Sequence, residues 1–187
     1  KRIWSVGAIH GDLYSLQTIH KGLVSKFRRG DKIVYLGNYF GNSTQNKETF
    51  DELLMTRRKI MSLTEVFMPD DFVYLRGARE EMFFKLLQLQ YAPNPVEAMD
   101  WLLEHGIDNS LKAYGENEIT ARSIVRQGTV ALTKWTNGIR RKIQMCPGHV
   151  ELTSCLKRAC MTEDGQLLFV HASIDPSRPL TMQKDQF

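Results

Sequence analysis

Three short loops hold the side chains of this chain that are best placed to do chemistry. Residues 7–11 read GAIHG, residues 37–42 read GNYFGN and residues 76–80 read RGARE. Each loop follows a short apolar strand pattern, and a helical pattern begins at the loop or shortly after it. Because ligand sites in such folds lie at the carboxyl ends of strands, we expect these loops to meet at one edge of a sheet. Their imidazole, amide and guanidinium groups suit a metal ion or a phosphate.

Together with residues 169–172 (FVHA), the loops resemble the calcineurin-like metallophosphoesterases. The likeness is strongest to the branch of bacterial and phage serine/threonine protein phosphatases and diadenosine tetraphosphatases. The family pattern is Gly-Asp-x-His-Gly, then Gly-Asp-x-x-Asp-Arg-Gly, then Arg-Gly-Asn-His-Glu, then a His followed by Ala or Gly and Gly. The resemblance implies an α/β fold, namely a metallophosphoesterase-like β-sandwich flanked by helices, and metal-dependent phosphoester hydrolysis as the family activity.

The resemblance assigns the residual metal-ligand positions to His10, Asn38 and His171. Asn38 replaces the aspartate that bridges the two metal ions in the family. Ala8 and Ala78 stand at two further ligand positions, where no methyl group can bind a metal. A metal pair needs carboxylates to offset its charge, so the sequence predicts a degenerate site with no resident cofactor. Manganese or another divalent metal pair is expected only if activity persists.

The residues that would act on a substrate are altered too. Arg79 stands at the family's general-acid position, where the family has a histidine. Gly41 and Asn42 replace the Asp-Arg pair whose arginine would hold the substrate phosphate. Glu80 is retained, and the resemblance implies that it orients the loops rather than binding a metal. The sequence therefore predicts a pseudoenzyme.

The sequence also predicts a positively charged cleft, which can bind a phosphate without a metal through charge-assisted hydrogen bonds. Arg76 has the alternative of a structural role beneath its loop. Arg79 has the alternative of filling the emptied metal space by pairing with Glu80 or Asp12. The phosphate-binding candidates are Arg76, Arg79, His10 and His171.

Composition limits the remaining function classes. With 187 residues, 42% of them hydrophobic and 25% charged, the chain is expected to form one globular domain over residues 1–187. No run approaches the roughly 18 apolar residues of a membrane span, which argues against a membrane partner. A net charge of +4 is too modest to indicate a nucleic-acid partner. The three cysteines lack metal-type or disulfide-type spacing, which favours reduced thiols and a cytoplasmic location.

The elements that position these residues follow from hydrophobic periodicity. Three strand–loop–helix units predict a largely parallel sheet with helices outside it. Residues from about 93 to 157 are predicted to form a helical insertion; the resemblance implies that it lies beside the site, and from sequence alone it could equally be a partner-binding surface. Residues 158–170 then predict a hairpin with Asp164-Gly165 at its turn, delivering His171 to a strand end. His149 is interpreted as a helix-start or surface residue, and His20 as a structural one.

The chain ends differ from those of the family. Family members continue past the segment that corresponds to residues 175–180 into further strands, so the C-terminal part of the fold is expected to be absent. The first residue is not methionine, so an earlier N-terminus is expected as well.

Three functions from different classes are consistent with the sequence. The first is a pseudophosphatase that binds a phosphate-containing ligand or a protein partner. The second is an active metal-dependent phosphatase, for phosphoproteins or nucleotides, in which Asp12 or Asp175 replaces the lost carboxylates; Asp12 has the alternative of capping the first helix. The third is a structural assembly subunit whose helical insertion forms the contact surface.

Overall fold

Three parallel strands form the centre of the molecule. The structure is a computed structural model, which describes residues 2–63 and 67–183. The strand order is β1–β2–β3, and Trp4, Ile33 and Phe72 lie opposite one another across the sheet. The predicted parallel sheet is therefore confirmed. The strands are β1 (Ile3–Val6), β2 (Lys32–Tyr35) and β3 (Phe72–Tyr74).

In the described ranges, an α-helix follows each of these strands, and five more α-helices follow in sequence. Polar caps set several of the starts: the side chains of Asp12, Asn94 and Asn117 each accept a hydrogen bond from a backbone amide in the first turn. No helix in the described ranges has the length and apolar character needed to cross a membrane. The helices are α1 (Leu13–Lys26), α2 (Asn46–Met61), α3 (Ala78–Leu87), α4 (Pro95–Glu104), α5 (Asp108–Ala113), α6 (Glu118–Arg126), α7 (Thr129–Gln144) and α8 (His149–Ser154).

A two-stranded antiparallel hairpin follows the helices. Strands β4 (Ala159–Met161) and β5 (Leu168–Val170) pair with each other, and Gly165 at the turn has a φ of 69°. The predicted hairpin is confirmed. Just before β4, the amide of Lys157 donates to the carbonyl oxygen of Tyr74 at 2.8 Å, so the chain enters the hairpin alongside β3.

The parallel sheet buries side chains on both faces. Alternation along β2 and β3 sends Tyr35 and Tyr74 towards the helices, where their rings stack with centroids 5.0 Å apart. The opposite face contacts the hairpin instead. Its cluster contains Val34, Val73, Leu75, Cys160 and Phe169.

Two buried histidines lie on either side of α2. His20, on α1, is only 2% exposed; its Nδ1 lies 2.6 Å from Glu52 Oε1, and its Nε2 lies 3.0 Å from the Tyr35 hydroxyl. In the neutral imidazole, Nδ1–H donates to the carboxylate and Nε2 accepts from the hydroxyl. His20 thus joins α1, α2 and the sheet, in agreement with its predicted structural role.

His149 makes a similar chain on the other side of α2. It starts α8 and is completely buried, so the predicted helix start is right and the predicted surface position is wrong. Its Nε2 lies 3.1 Å from Asp51 Oδ1 and its Nδ1 lies 3.0 Å from the Tyr114 hydroxyl. These two partners satisfy both ring nitrogens, which allows the imidazole to be buried.

Candidate functional site

The first two loops are joined through their backbones. The amides of Ile9 and His10 donate to the carbonyl oxygen of Asn38 at 3.1 and 2.7 Å, and the amide of Gly11 donates to that of Tyr39 at 2.9 Å. These loops follow the neighbouring parallel strands β1 and β2. The hydrogen bonds therefore continue the pairing of the two chain segments beyond the ends of the strands. The first and second loops of the predicted site are brought together here.

A buried carboxylate organises the second and third loops. Glu80 is completely buried, and its Oε2 accepts from the amides of Asn38 and Gly77 at 2.8 and 2.9 Å. Its Oε1 accepts from the amides of Tyr39 and Phe40 at 2.8 and 3.1 Å. Burial raises the pKa of Glu80, and the four amides oppose that shift because they stabilise the ionised form. Both oxygens of Glu80 accept two hydrogen bonds each, so Glu80 orients the loops and is not available to bind a ligand.

Strained backbone marks the meeting point of the loops. His10 and Asn38 have φ values of 54° and 53°, and they are the non-glycine residues with positive φ in the described ranges. Gly77 lies so close to Asn38 that an added Cβ would stand 2.3 Å from its backbone nitrogen. The backbone is therefore packed too tightly at this position for any side chain.

The two histidines of the predicted site differ in their surroundings. His10 is exposed, and its imidazole makes no hydrogen bond within the described part of the chain. His171 is half-buried, and its Nδ1–H donates to the carbonyl oxygen of Leu36 at 2.6 Å. This bond holds His171 beside the end of β2, two residues before Asn38, and leaves its Nε2 for a ligand.

The guanidinium of Arg79 contacts the segment that follows α4. Its Nη1 donates to the carbonyl oxygens of His105 and Gly106, which follow α4, and its Nη2 lies 3.4 Å from Asn42 Oδ1. The alternative that Arg79 pairs with Glu80 or Asp12 is therefore wrong. Carbonyl groups at a helix C-terminus attract a cation, which accounts for this choice.

The nearby carboxylates are committed to local structure. Asp12 accepts from the amide of Ser15 at 3.0 Å, which caps α1 and lowers the pKa of Asp12. Asp175 accepts from the amide and hydroxyl of Ser177, which lower its pKa, and it pairs with Arg178. Among the described residues, no group of three His, Cys, Asp or Glu side chains is placed to hold a metal. Two imidazoles and one amide do not fit a pair of dications.

The four phosphate-binding candidates separate into two pairs. Arg76 and His171 line a cleft of about 530 Å³ between the end of β3, the hairpin and residues 171–183, whereas His10 and Arg79 are not among its lining residues in the described ranges. Arg76 Nε lies 3.1 Å from Glu81 Oε2, with both side chains less than one-fifth exposed. The same cleft contains Arg158 and Arg178, which sequence reasoning missed because no motif includes them.

Asn46 is another residue that sequence reasoning missed. It is completely buried at the start of α2; its Oδ1 accepts from the amide of Gly41 at 2.9 Å, and its Nδ2 donates to the Gly41 carbonyl at 3.0 Å. Gly41 in turn lies against His10, where an added Cβ would stand 1.9 Å from the carbonyl oxygen. Asn46 therefore fixes the far end of the second loop.

No protein-family model, curated protein or solved structure matches this chain.

Proposed function

We propose that this chain is a metal-free relative of the calcineurin-like metallophosphoesterases, of the protein phosphatase and diadenosine tetraphosphatase branch, that binds a phosphate-containing ligand instead of hydrolysing it. One observation carries the proposal. Loops distant in sequence meet at the ends of parallel strands, joined by Glu80 and by the Leu36–His171 hydrogen bond, while the ligand positions among them hold Ala8, Asn38 and Ala78.

The second sheet supports the β-sandwich form of the proposed fold. Cys160 and Phe169 of the hairpin pack on the face of the parallel sheet that the helices do not cover. A sandwich has two sheets that share a core, so this packing is consistent with the proposed form.

The contacts of Arg79 and Glu80 support binding without catalysis. General-acid catalysis needs a group that can deliver a proton at the leaving group, and a guanidinium held on the carbonyl oxygens of His105 and Gly106 does not supply one. Phosphate binding needs only donors. The guanidinium of Arg76 carries such donors at the cleft, and the imidazole of His171 lines the same cleft.

The first experiment measures metal content, manganese binding and turnover of p-nitrophenyl phosphate on the purified protein. We expect no bound metal, no tight manganese binding by calorimetry and no manganese-dependent turnover, together with a chemical-shift change of His171 on adding inorganic phosphate. Manganese-dependent turnover that is lost in His171→Asn would overturn the proposal and favour the active phosphatase.

A second experiment tests the assignment of the ligand positions. The triple variant Ala8→Asp, Asn38→Asp, Ala78→Asn supplies two carboxylates and an amide, so manganese affinity should rise at least tenfold. The full hydrolytic rate should not appear, because Arg79 and Asn42 still lack the acid and the phosphate-binding guanidinium. Asn137→Asp, on the exposed side of α7, is the control for added negative charge. Equal manganese affinity in the triple variant and in this control would contradict the assignment of these ligand positions.

A further inference from the structure

A groove between α3 and α4 has an apolar floor and two exposed aromatic rings. Its volume is about 750 Å³, and its lining includes the buried side chains of Leu89 and Leu102. Tyr91 and Trp101 line the same groove and are 81% and 47% exposed. In the described ranges, none of its lining residues belongs to the three loops or to the cleft that His171 lines. The groove is therefore separate from the site of the proposed function.

The polar groups that line this groove have unused hydrogen-bonding capacity. The chain has three tryptophans, and the indole N–H groups of Trp4 and Trp135 each donate to a carboxylate, at 3.2 and 2.7 Å. In the part of the chain that the structure describes, the N–H of Trp101, the hydroxyl of Tyr91 and the side-chain amide of Gln88 make no hydrogen bond. Tyrosine and tryptophan with an apolar body and an unused polar end are typical of contact surfaces. The groove thus offers side-chain donors beside aromatic rings.

The donors and the aromatic rings together suit a segment in the polyproline II conformation. Such a segment has no internal hydrogen bonds, so its carbonyl oxygens can accept from side chains, and its proline rings pack on aromatic rings. A helical partner would use its carbonyl oxygens within the helix. A partner that added a β-strand would need a sheet edge, and no lining residue in the described ranges belongs to a strand. Of these three kinds of segment, only the polyproline II segment uses both the donors and the rings.

The charges at the groove indicate the character of the partner. Lys85, in the last turn of α3, makes no ion pair among the described residues. The lining carboxylate, Glu97, already accepts a hydrogen bond from Asn94 Nδ2 at 2.9 Å. An acidic residue in the partner would therefore be complementary to Lys85.

We infer that this groove binds an extended, proline-rich protein segment that carries an acidic residue, with proline rings on Tyr91 and Trp101 and the acidic residue at Lys85. The inference goes beyond the proposed phosphate binding, and neither depends on the other because the two sites share no described residue. It gives the chain a protein partner of stated chemistry.

An oligoproline peptide that ends in two glutamates is the probe, and a peptide with glycine and serine in place of the prolines is the comparison. Affinities are measured by calorimetry. Tyr91→Ala should weaken binding of the proline peptide roughly tenfold, because aromatic residues supply much of the binding energy at such contacts. Tyr14→Ala, at a tyrosine of α1 that is 80% exposed, removes the same ring away from the groove and should leave affinity unchanged. Equal affinity for the glycine–serine peptide would overturn the inference.

The charge of Lys85 is tested by reversal. Lys85→Glu should weaken the glutamate peptide several-fold and should bind a peptide ending in two lysines more tightly than the wild-type protein does. Lys134→Glu, at an exposed lysine of α7, is the control and should keep the wild-type preference. An unchanged preference in Lys85→Glu would contradict the place assigned to the acidic residue.

The indole N–H signals in the NMR spectrum test the groove in the wild-type protein. Adding the proline peptide should shift the signal of Trp101, assigned with Trp101→Phe, and leave those of Trp4 and Trp135 in place because their N–H groups are already bonded. A Trp101 signal that does not respond to millimolar peptide would overturn the inference. Broadening of that signal with protein concentration, without peptide, would assign the groove to a second copy of this chain and would overturn it as well.

Discussion

The histidines of the strand-end loops and those beside α2 are used in opposite ways. His20 and His149 are 2% and 0% exposed, and each has a carboxylate on one ring nitrogen and a tyrosine hydroxyl on the other. His10 is exposed, and the one hydrogen bond of His171 leaves its Nε2 unused. At the loops, the buried hydrogen bonds are formed by Glu80 and backbone amides. Histidines that are not needed for packing are the ones left for a ligand.

The largest effect should come from removing the carboxylate that builds the loops. Glu80→Ala leaves four buried amides without an acceptor, so it should lower the free energy of unfolding by about 3–5 kcal/mol. Urea unfolding measures the change, and Glu48→Ala, at an exposed position on α2, is the control. A loss as small as that of the control would mean that the loops form without Glu80.

A smaller effect should come from adding one methyl group between the first two loops. Gly41→Ala places Cβ against the backbone carbonyl of His10, which cannot move freely, so we expect a loss of about 1–3 kcal/mol. Gly138→Ala is the matched control: it lies within α7 with no atom within 4 Å of the added Cβ, and it should stabilise the protein by about 0.5–1 kcal/mol. The opposite signs should be visible in urea midpoints. Equal shifts for both variants would contradict the close packing of the loops.

The buried histidines should make stability depend on pH. Burial lowers the pKa of His20 and of His149 below the ordinary value of 6.5, and Glu52 and Asp51 oppose part of the shift. The unfolded chain therefore binds more protons than the folded chain just below pH 6.5. The stability that these groups contribute is complete above pH 6.5 and is lost as pH falls below it towards the folded pKa values.

His20→Gln tests this dependence. The amide does not titrate, so the difference between urea midpoints at about pH 7.5 and about pH 5.5 should be smaller than in the wild-type protein, although the variant is less stable at both. His105→Gln, at an exposed histidine, should keep the wild-type difference. An unchanged difference in His20→Gln would show that another group causes the pH dependence.

The smallest effect should come from releasing Arg79 from α4. Arg79→Met keeps the apolar stem but removes the hydrogen bonds to His105 and Gly106, at a cost of about 0.5–1.5 kcal/mol. Amide hydrogen exchange should become faster at residues 105–107 while β2 is unaffected. Arg126→Met, at an exposed arginine of α6, should change neither quantity. Exchange that is unchanged at residues 105–107 would argue that α4 is held by its packing alone.

The sequence predicts the elements well because their signals are local. The periodicity after each loop gives α1, α2 and α3, and Asp164-Gly165 gives the hairpin turn. The residues of the three loop motifs also predict where the loops meet. Each of these features depends on residues a few positions apart.

The contacts that were missed join distant parts of the chain. Arg79 bonds to a carbonyl 26 residues later, and His149 pairs with Asp51 across 98 residues. Every residue has a backbone carbonyl, so residue types do not indicate which carbonyl the Arg79 side chain contacts. The burial of His149 likewise depends on α2 and on Tyr114, just after α5, which only the folded arrangement brings beside it.

The position of Arg79 also bears on how this site can evolve. A histidine at position 79 would supply an imidazole where the proposed family has its acid, but its shorter side chain would no longer bond to the carbonyl oxygens that follow α4. Under the proposed function, a single substitution towards catalysis would carry this structural cost before it brought any rate, because positions 8, 38 and 78 would still lack the family's metal ligands. Epistasis of this kind would make the proposed inactive state hard to leave by single mutational steps.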